Sequence, residues 1–173
     1  FVNAQRIFWS ESWNGRIRVG TLGQSSITAP SDFVTGLSDP RTVEVDQINN
    51  RLYYSNFGSE DIRTSNLTTG AFIAYVITTG AMAGFPDFVY SENGGGIYAT
   101  GSEEVEGLWY IPWNNNDTGN QFPLNLGSHT DDIFSSVVVD DGNEYVYVAG
   151  SYDNTIYRTG LSGGTMTPMV TLS

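Results

Sequence analysis

Nucleophile and base chemistry is thinly supplied in this chain. His129 is its single histidine, cysteine is absent, and no Gly-x-Ser-x-Gly turn occurs, so neither a Ser-His-Asp nor a Cys-His site has local support. His129 stands in the polar run Gly127-Ser128-His129-Thr130-Asp131-Asp132, which reads as an exposed loop. Gly94-Gly95-Gly96 and Gly163-Gly164 read as hairpin turns and not as phosphate cradles, because no helix follows either. Carboxylates are plentiful, yet the Asp-x-Asp-x-Asp-Gly spacing of an EF-hand is missing. No cofactor is implied, and Ca²⁺ stays admissible without positive support.

The residues that could recognise a partner are acids and aromatics in short polar segments. The acids are Glu11, Asp39, Glu60, Asp61, Asp87, Glu103, Glu104, Glu106, Asp131, Asp132 and Asp153, accompanied by Trp13, Phe57, Phe85 and Tyr152. An acidic field with exposed aromatic rings suits a basic or amphipathic peptide or a cation. The plainer reading is that loops collect acids because loops are solvated and strands disfavour charge. Asp46, Asp140 and Asp141 end apolar runs and read as caps of the turns that follow.

The elements that position these residues come from a repeat. Arg6-Ile7-Phe8-Trp9-Ser10-Glu11 returns as Arg51-Leu52-Tyr53-Tyr54-Ser55-Asn56, Gly96-Ile97-Tyr98-Ala99-Thr100-Gly101 and Tyr145-Val146-Tyr147-Val148-Ala149-Gly150, at offsets of 45, 45 and 49 residues. A second strand follows each copy, beginning at Arg16, Asp61, Gly107 and Thr155, and a third lies near residues 31–37, 72–78, 121–126 and 167–172. An apolar strand precedes three of the copies, at 42–46, 87–90 and 135–140. Sets of four short strands at this period specify an all-β propeller, with four recognisable four-stranded blades, the first lacking its inner strand. The competing arrangement is a β-sandwich whose hairpins are alike by accident.

On this reading residues 1–173 form one propeller segment, with blades at about 1–41, 42–86, 87–134 and 135–173. Connections from second to third strand, and from outer strand to the next inner strand, share one rim. That rim carries the acids and aromatic rings named above. Trp9, Tyr53, Tyr54, Tyr98, Tyr145 and Tyr147 are expected to pack within or between blades. Trp109 and Trp113 share one strand face, where packing is favoured over stacking on a sugar.

Composition agrees with many short strands. Twenty glycines and 39% hydrophobic residues suit a folded chain rich in tight turns. The net charge of −12, from 19 acids against 7 bases, argues against nucleic acid as a partner, because a phosphate backbone demands a concentrated Lys/Arg surface, and disfavours anionic membranes. No run of about 18 apolar residues needed to span a membrane is present. Asn66-Leu67-Thr68 and Asn116-Asp117-Thr118 are acceptor sequences for N-glycosylation in a secreted protein.

The run Leu37-Ser38-Asp39-Pro40-Arg41-Thr42-Val43-Glu44-Val45-Asp46, continued by Asn50-Arg51-Leu52-Tyr53-Tyr54-Ser55-Asn56, resembles the YWTD repeat of lipoprotein-receptor propellers. Phe8-Trp9-Ser10-Glu11 matches the same motif with conservative changes, and the resemblance covers residues 5 to 70 best. It implies a six-bladed ring of which this chain supplies part, or a ring completed by neighbouring chains. It also implies an extracellular or cell-surface setting and a non-catalytic role in binding protein partners, or copies of itself, through the rim. Two other readings stand beside it. One is a calcium-dependent propeller enzyme of the lactonase or strictosidine-synthase-like kind, and the other is a glycan-binding propeller using Trp13, Trp109 or Trp113.

Overall fold

The computed structural model describes residues 5–23, 25–77, 87–101, 107–113 and 134–171 in full, and the backbone alone of 124–127. Fifteen strands fall into four antiparallel meanders among these residues. The first sheet is β1 (Gln5–Glu11), β2 (Arg16–Leu22) and β3 (Ile27–Thr35). The second is β4 (Pro40–Asp46), β5 (Arg51–Asn56), β6 (Asp61–Asn66) and β7 (Phe72–Ile77). The third is β8 (Phe88–Ser91), β9 (Gly96–Thr100), β10 (Leu108–Pro112) and β11 (Leu124–Gly127), and the fourth is β12 (Phe134–Asp140), β13 (Tyr145–Gly150), β14 (Thr155–Gly160) and β15 (Gly163–Thr171). The fold is an all-β propeller arc whose first blade has three strands among the described residues.

Alternation builds each blade. In β5 and β9 both faces are buried, because a central blade is covered by neighbours on either side. Three apolar clusters join the sheets in sequence. Ile17 and Phe8 meet Leu52 and Tyr54; Tyr53 and Ile62 meet Phe88, Ile97 and Ala99; Tyr98 and Leu108 meet Phe134, Val146 and Val148. Trp113 is fully buried in the middle cluster and its indole N–H donates to the Tyr53 hydroxyl at 3.2 Å, while Trp109 packs against the same cluster. Trp113 therefore serves packing alone, and Trp109, half-buried, lays part of its ring on the same core.

The outer strands are longer at one end than the sequence suggests. β3 begins at Ile27 and β15 at Gly163, because an outermost strand can follow its partner as far as the hairpin allows. Gly163 and Gly164 open β15 and do not form the turn itself, which is Leu161-Ser162, closed by the Gly160–Gly163 pairing. Two short 3₁₀ turns, Ser12–Asn14 and Phe57–Ser59, were not foreseen. They occupy equivalent second-to-third connections and end in left-handed residues, Gly15 (φ 58°) and Glu60 (φ 52°). At Gly15 a side chain would meet the Leu37 carbonyl oxygen at 2.4 Å, so only glycine fits there.

The inner strands β4, β8 and β12 lie side by side, with β8 touching both others. Thr42 on β4, Ser136 on β12 and Asp87, one residue before β8, are equivalent positions, three residues upstream of the paired Val45–Leu52, Val139–Val146 and Tyr90–Ile97 respectively. Asp87 binds all three strands. One carboxylate oxygen accepts from Thr42 Oγ1 (3.3 Å) and the Phe88 N–H (3.0 Å), and the other from Ser136 Oγ (2.7 Å) and the Val137 N–H (3.1 Å).

Two stability outcomes follow from these contacts. Asp87→Ala orphans donors on three sheets at once and is expected to lower unfolding stability by about 2–4 kcal/mol, read from urea denaturation. Tyr98→Ala empties a site at the joint between the third and fourth sheets and is expected to cost about 3–5 kcal/mol in the same assay.

Candidate functional site

The rim is drawn together by backbone hydrogen bonds. The Leu37 N–H donates to the Gly15 carbonyl (2.9 Å), the Gly58 N–H to Ser38 (2.8 Å) and the Phe57 N–H to Asp39 (3.0 Å). Across the joint between the first two sheets, Ser12 Oγ donates to the Pro40 carbonyl (2.6 Å) and Ser10 Oγ to that of Arg41 (2.5 Å). The two 3₁₀ turns and the segment 37–41 thus form one rigid corner.

Trp13 projects from that corner fully exposed, at 103% of its reference area. Beside it an open cleft of about 750 Å³ is lined by Ser10, Ser12, Trp13, Asp39 and Arg41. Arg41 pairs with Asp39 (3.0 Å) and lies over the Phe57 ring, 3.5 Å from its centroid, so Phe57 supports the guanidinium from below. Asp39 and Glu60 both hold left-handed backbone (φ 55° and 52°), a conformation uncommon outside glycine that Asp adopts more readily than Glu. Glu60 is exposed, whereas Asp39 is half-buried.

Other acids named from the sequence are engaged in holding the rim. Glu11 binds Arg16 (2.6 Å) and Arg18 (3.5 Å), and the Arg16 guanidinium holds its carboxyl down at about 2. Asp61 is buried and forms a two-pronged pair with Arg63, both contacts at 2.8 Å, while accepting from Ser59 Oγ. Asp87 is the inter-sheet acceptor described above. Asp153 accepts from the Thr155 N–H (2.8 Å) and from the Tyr157 hydroxyl. Tyr152 is 66% exposed on the equivalent turn of the fourth sheet. Phe85, Glu103, Glu104, Glu106, Asp131, Asp132 and the acceptor Asn116 lie outside the described residues. Asn66 is half-buried, its side-chain oxygen accepting the N–H groups of Thr68 (2.9 Å) and Thr69 (3.0 Å).

On the opposite rim Asp46 and Asp140 do cap their turns. Each accepts the backbone N–H of the residue three positions on, Asn49 at 3.0 Å and Asn143 at 3.1 Å. Asp141 acts differently: its carboxylate contacts Ser91 Oγ in the neighbouring sheet, and its carbonyl accepts from Asn93 Nδ2 at 2.8 Å. Among the described residues no three metal-ligating side chains converge, and no helix is long and apolar enough to cross a membrane.

Glu44 was missed by sequence reasoning. It lies two residues along β4 from Thr42, in the layer next to Asp87, with Val89 and Val138 at the equivalent places on β8 and β12. Burial first, and the negative charge of Asp87 second, push its carboxyl up to about 7. The only sequence signal was its polarity in an otherwise β-branched inner strand. Folding favours the protonated form, so this contribution is fully present below about pH 4.5 and is lost as pH rises through 7. Glu44→Gln is expected to leave stability at pH 4 unchanged and to raise it at pH 8 by about 2–3 kcal/mol after allowance for partial solvent screening, checked by urea unfolding across that range.

No family model and no curated protein sequence matches the chain. Solved structures do. One is a crystal structure of a nidogen/laminin complex, matched with a TM-score of 0.80 at 11% identity over 96% of this chain and 60% of that one. Another is the dihydro-heme d1 dehydrogenase NirN in complex with DHE, with a TM-score of 0.66 at 10% identity over 97% of this chain and 34% of that one. The chain thus spans less than two thirds of either structure's length. Likeness at such identity establishes the β-propeller fold, shared here with a protein–protein complex and with an enzyme.

Proposed function

We propose that this chain is part of a non-catalytic, extracellular propeller of the YWTD type that binds a protein partner through the rim bearing Trp13. The observation that carries this reading is a fully exposed tryptophan on a rigidly tied 3₁₀ turn, bordering a cleft that contains the Asp39–Arg41 pair. Exposed aromatic rings on a preorganised surface are typical anchors of protein interfaces. Glu60 and Tyr152 extend the same rim with an exposed acid and an exposed ring. With a net charge of −12, the chain favours a basic or amphipathic peptide segment as the partner's contribution. The motif from Asp39 to Asn56 supports the YWTD assignment and, with it, a six-bladed ring built on blades near 1–41, 42–86, 87–134 and 135–173. In the same extracellular reading Asn66 and Asn116 are glycosylation acceptors. A glycan-binding reading rests chiefly on Trp13, since Trp113 is buried and Trp109 is half-buried against the core.

The test is titration of the chain with a panel of synthetic Arg/Lys- and Leu-containing peptides, followed by tryptophan fluorescence and calorimetry. Binding is expected to weaken with added salt and to weaken at least tenfold in Trp13→Ala, a loss of about 1.4 kcal/mol or more, while folding stability changes by less than about 0.5 kcal/mol. Equal binding by wild type and Trp13→Ala would sink the rim assignment. Selective binding of neutral oligosaccharides in the same titration would turn the reading toward glycans.

A further inference from the structure

On the rim opposite Trp13, the three joints between blades repeat one arrangement. An aromatic residue of the second strand, Phe8, Tyr53 or Tyr98, stands beside the residue that follows the third strand of the next blade, Leu67, Trp113 or Leu161. A backbone hydrogen bond fixes the equivalence. The N–H groups of Leu67, Trp113 and Leu161 donate to the carbonyls of Asn50, Gly95 and Glu144, at 3.0, 3.3 and 3.1 Å, and those three acceptors all hold left-handed backbone (φ 55°, 66° and 60°).

What fills the space between ring and turn differs from joint to joint. At the first it is an arginine: the Arg6 guanidinium lies over Phe8, 4.8 Å from its centroid, and donates to the Leu67 carbonyl at 2.8 Å. At the second it is the indole of Trp113, donating to the Tyr53 hydroxyl. The third holds an open cavity of about 320 Å³, bordered by Asn93, Gly94, Tyr98, Glu144, Leu161 and Ser162. There Gly96 takes the place of Arg6, and a Cβ on it would meet the Ile111 carbonyl oxygen at 2.4 Å, so position 96 has no room for a side chain of its own.

The walls of this cavity are rich in acceptors. The Leu161 carbonyl accepts from the Tyr98 hydroxyl at 2.8 Å and keeps a second lone pair. Asn93 donates an amide hydrogen to the Asp141 carbonyl at 2.8 Å, which leaves its side-chain oxygen as an acceptor. Glu144 adds an exposed carboxylate at the mouth. After Arg63 the sequence has one arginine and no lysine. That arginine, Arg158, lies over the Tyr145 ring, on the face of β14 opposite to Tyr157 and its cluster.

We propose that the cavity between the third and fourth blades binds a guanidinium group, the arginine side chain of a second polypeptide, where Arg6 sits at the first joint. A guanidinium brings five donors and no acceptor, which complements walls of carbonyl, amide oxygen and carboxylate. Two blades of this chain enclose the site, and it stands apart from the Trp13 rim reading.

Calorimetric titration of the chain with Nα-acetyl-arginine amide tests it, with the uncharged citrulline analogue, the lysine analogue and free arginine as comparisons. Binding of the arginine amide with a dissociation constant on the order of 1 mM is expected, with the citrulline and lysine analogues at least tenfold weaker. Two variants borrow residues from the equivalent joints. Glu144→Asn copies Asn50, which holds the same backbone, and is expected to weaken binding at least tenfold with urea stability kept. Leu161→Trp copies Trp113, fills the cavity and is expected to abolish binding; if it unfolds, Glu144→Asn decides alone. Loss in Glu144→Asn marks this site, as loss in Trp13→Ala marks the other rim. Absence of binding, equal binding of the citrulline analogue, or binding left intact in Glu144→Asn overturns the proposal. Equal binding of the lysine analogue overturns the guanidinium assignment, and tighter binding of free arginine overturns the polypeptide source in favour of the amino acid.

Discussion

A single carboxylate holds the inner strands together. Packing of apolar faces can bring two sheets into contact without fixing how far one slides along the other, because dispersion and hydrophobic burial are weakly directional. Asp87 removes that freedom. Its two oxygens accept from Thr42, Phe88, Ser136 and Val137, which belong to three successive sheets. Hydrogen bonds are directional where apolar contacts are not, so the height of each blade is pinned relative to its neighbours. The rim inherits its geometry from that alignment, since Asp39 and Arg41 stand at the entrance of β4 and the 3₁₀ turns are tied to the same segment.

The blade joints divide the work between apolar and polar contacts. Tyr53 and Tyr98 are buried rings whose hydroxyls still find partners, Trp113 Nε1 in one case and the Leu161 carbonyl in the other. Each tyrosine thus contributes area to the joint and a direction to it. Glu44 is the exception near the centre. It carries a carboxyl into a layer shared with two valines, beside an ionised neighbour, and so works against the stability that Asp87 provides. Groups that oppose the local packing are the ones most often kept for function.

Much of the architecture was legible because the repeat is local. Strand spacing, the burial of Tyr53 and Tyr98 and the turn caps at Asp46 and Asp140 each depend on residues within one blade or on strict periodicity. What could not be read depends on convergence across blades. Asp87 was grouped with solvated rim acids because it ends a polar segment, while its partners Thr42 and Ser136 lie 45 and 49 residues away. Asp61 was grouped likewise, although Asp61-Ile62-Arg63 places acid and guanidinium on one strand face two residues apart, a signal that could have revealed the pair. What the strand pattern did not encode at the tryptophans is the 3₁₀ turn that carries Trp13 and the Tyr53 hydroxyl that Trp113 meets across the joint.

The meander order of every sheet bears on how the chain reaches this state. Each strand pairs with its immediate neighbour in sequence, so the contacts within a blade span short loops and close with little entropic cost. Contacts between blades come from residues roughly one repeat apart and form only once both partners exist. A nascent chain can therefore complete each hairpin set soon after emergence and dock it on the blade made before, with the carboxylate of Asp87 satisfied in full only when Ser136 and Val137 arrive. Until then the third blade remains a partly assembled edge, and the order of synthesis becomes the order of assembly.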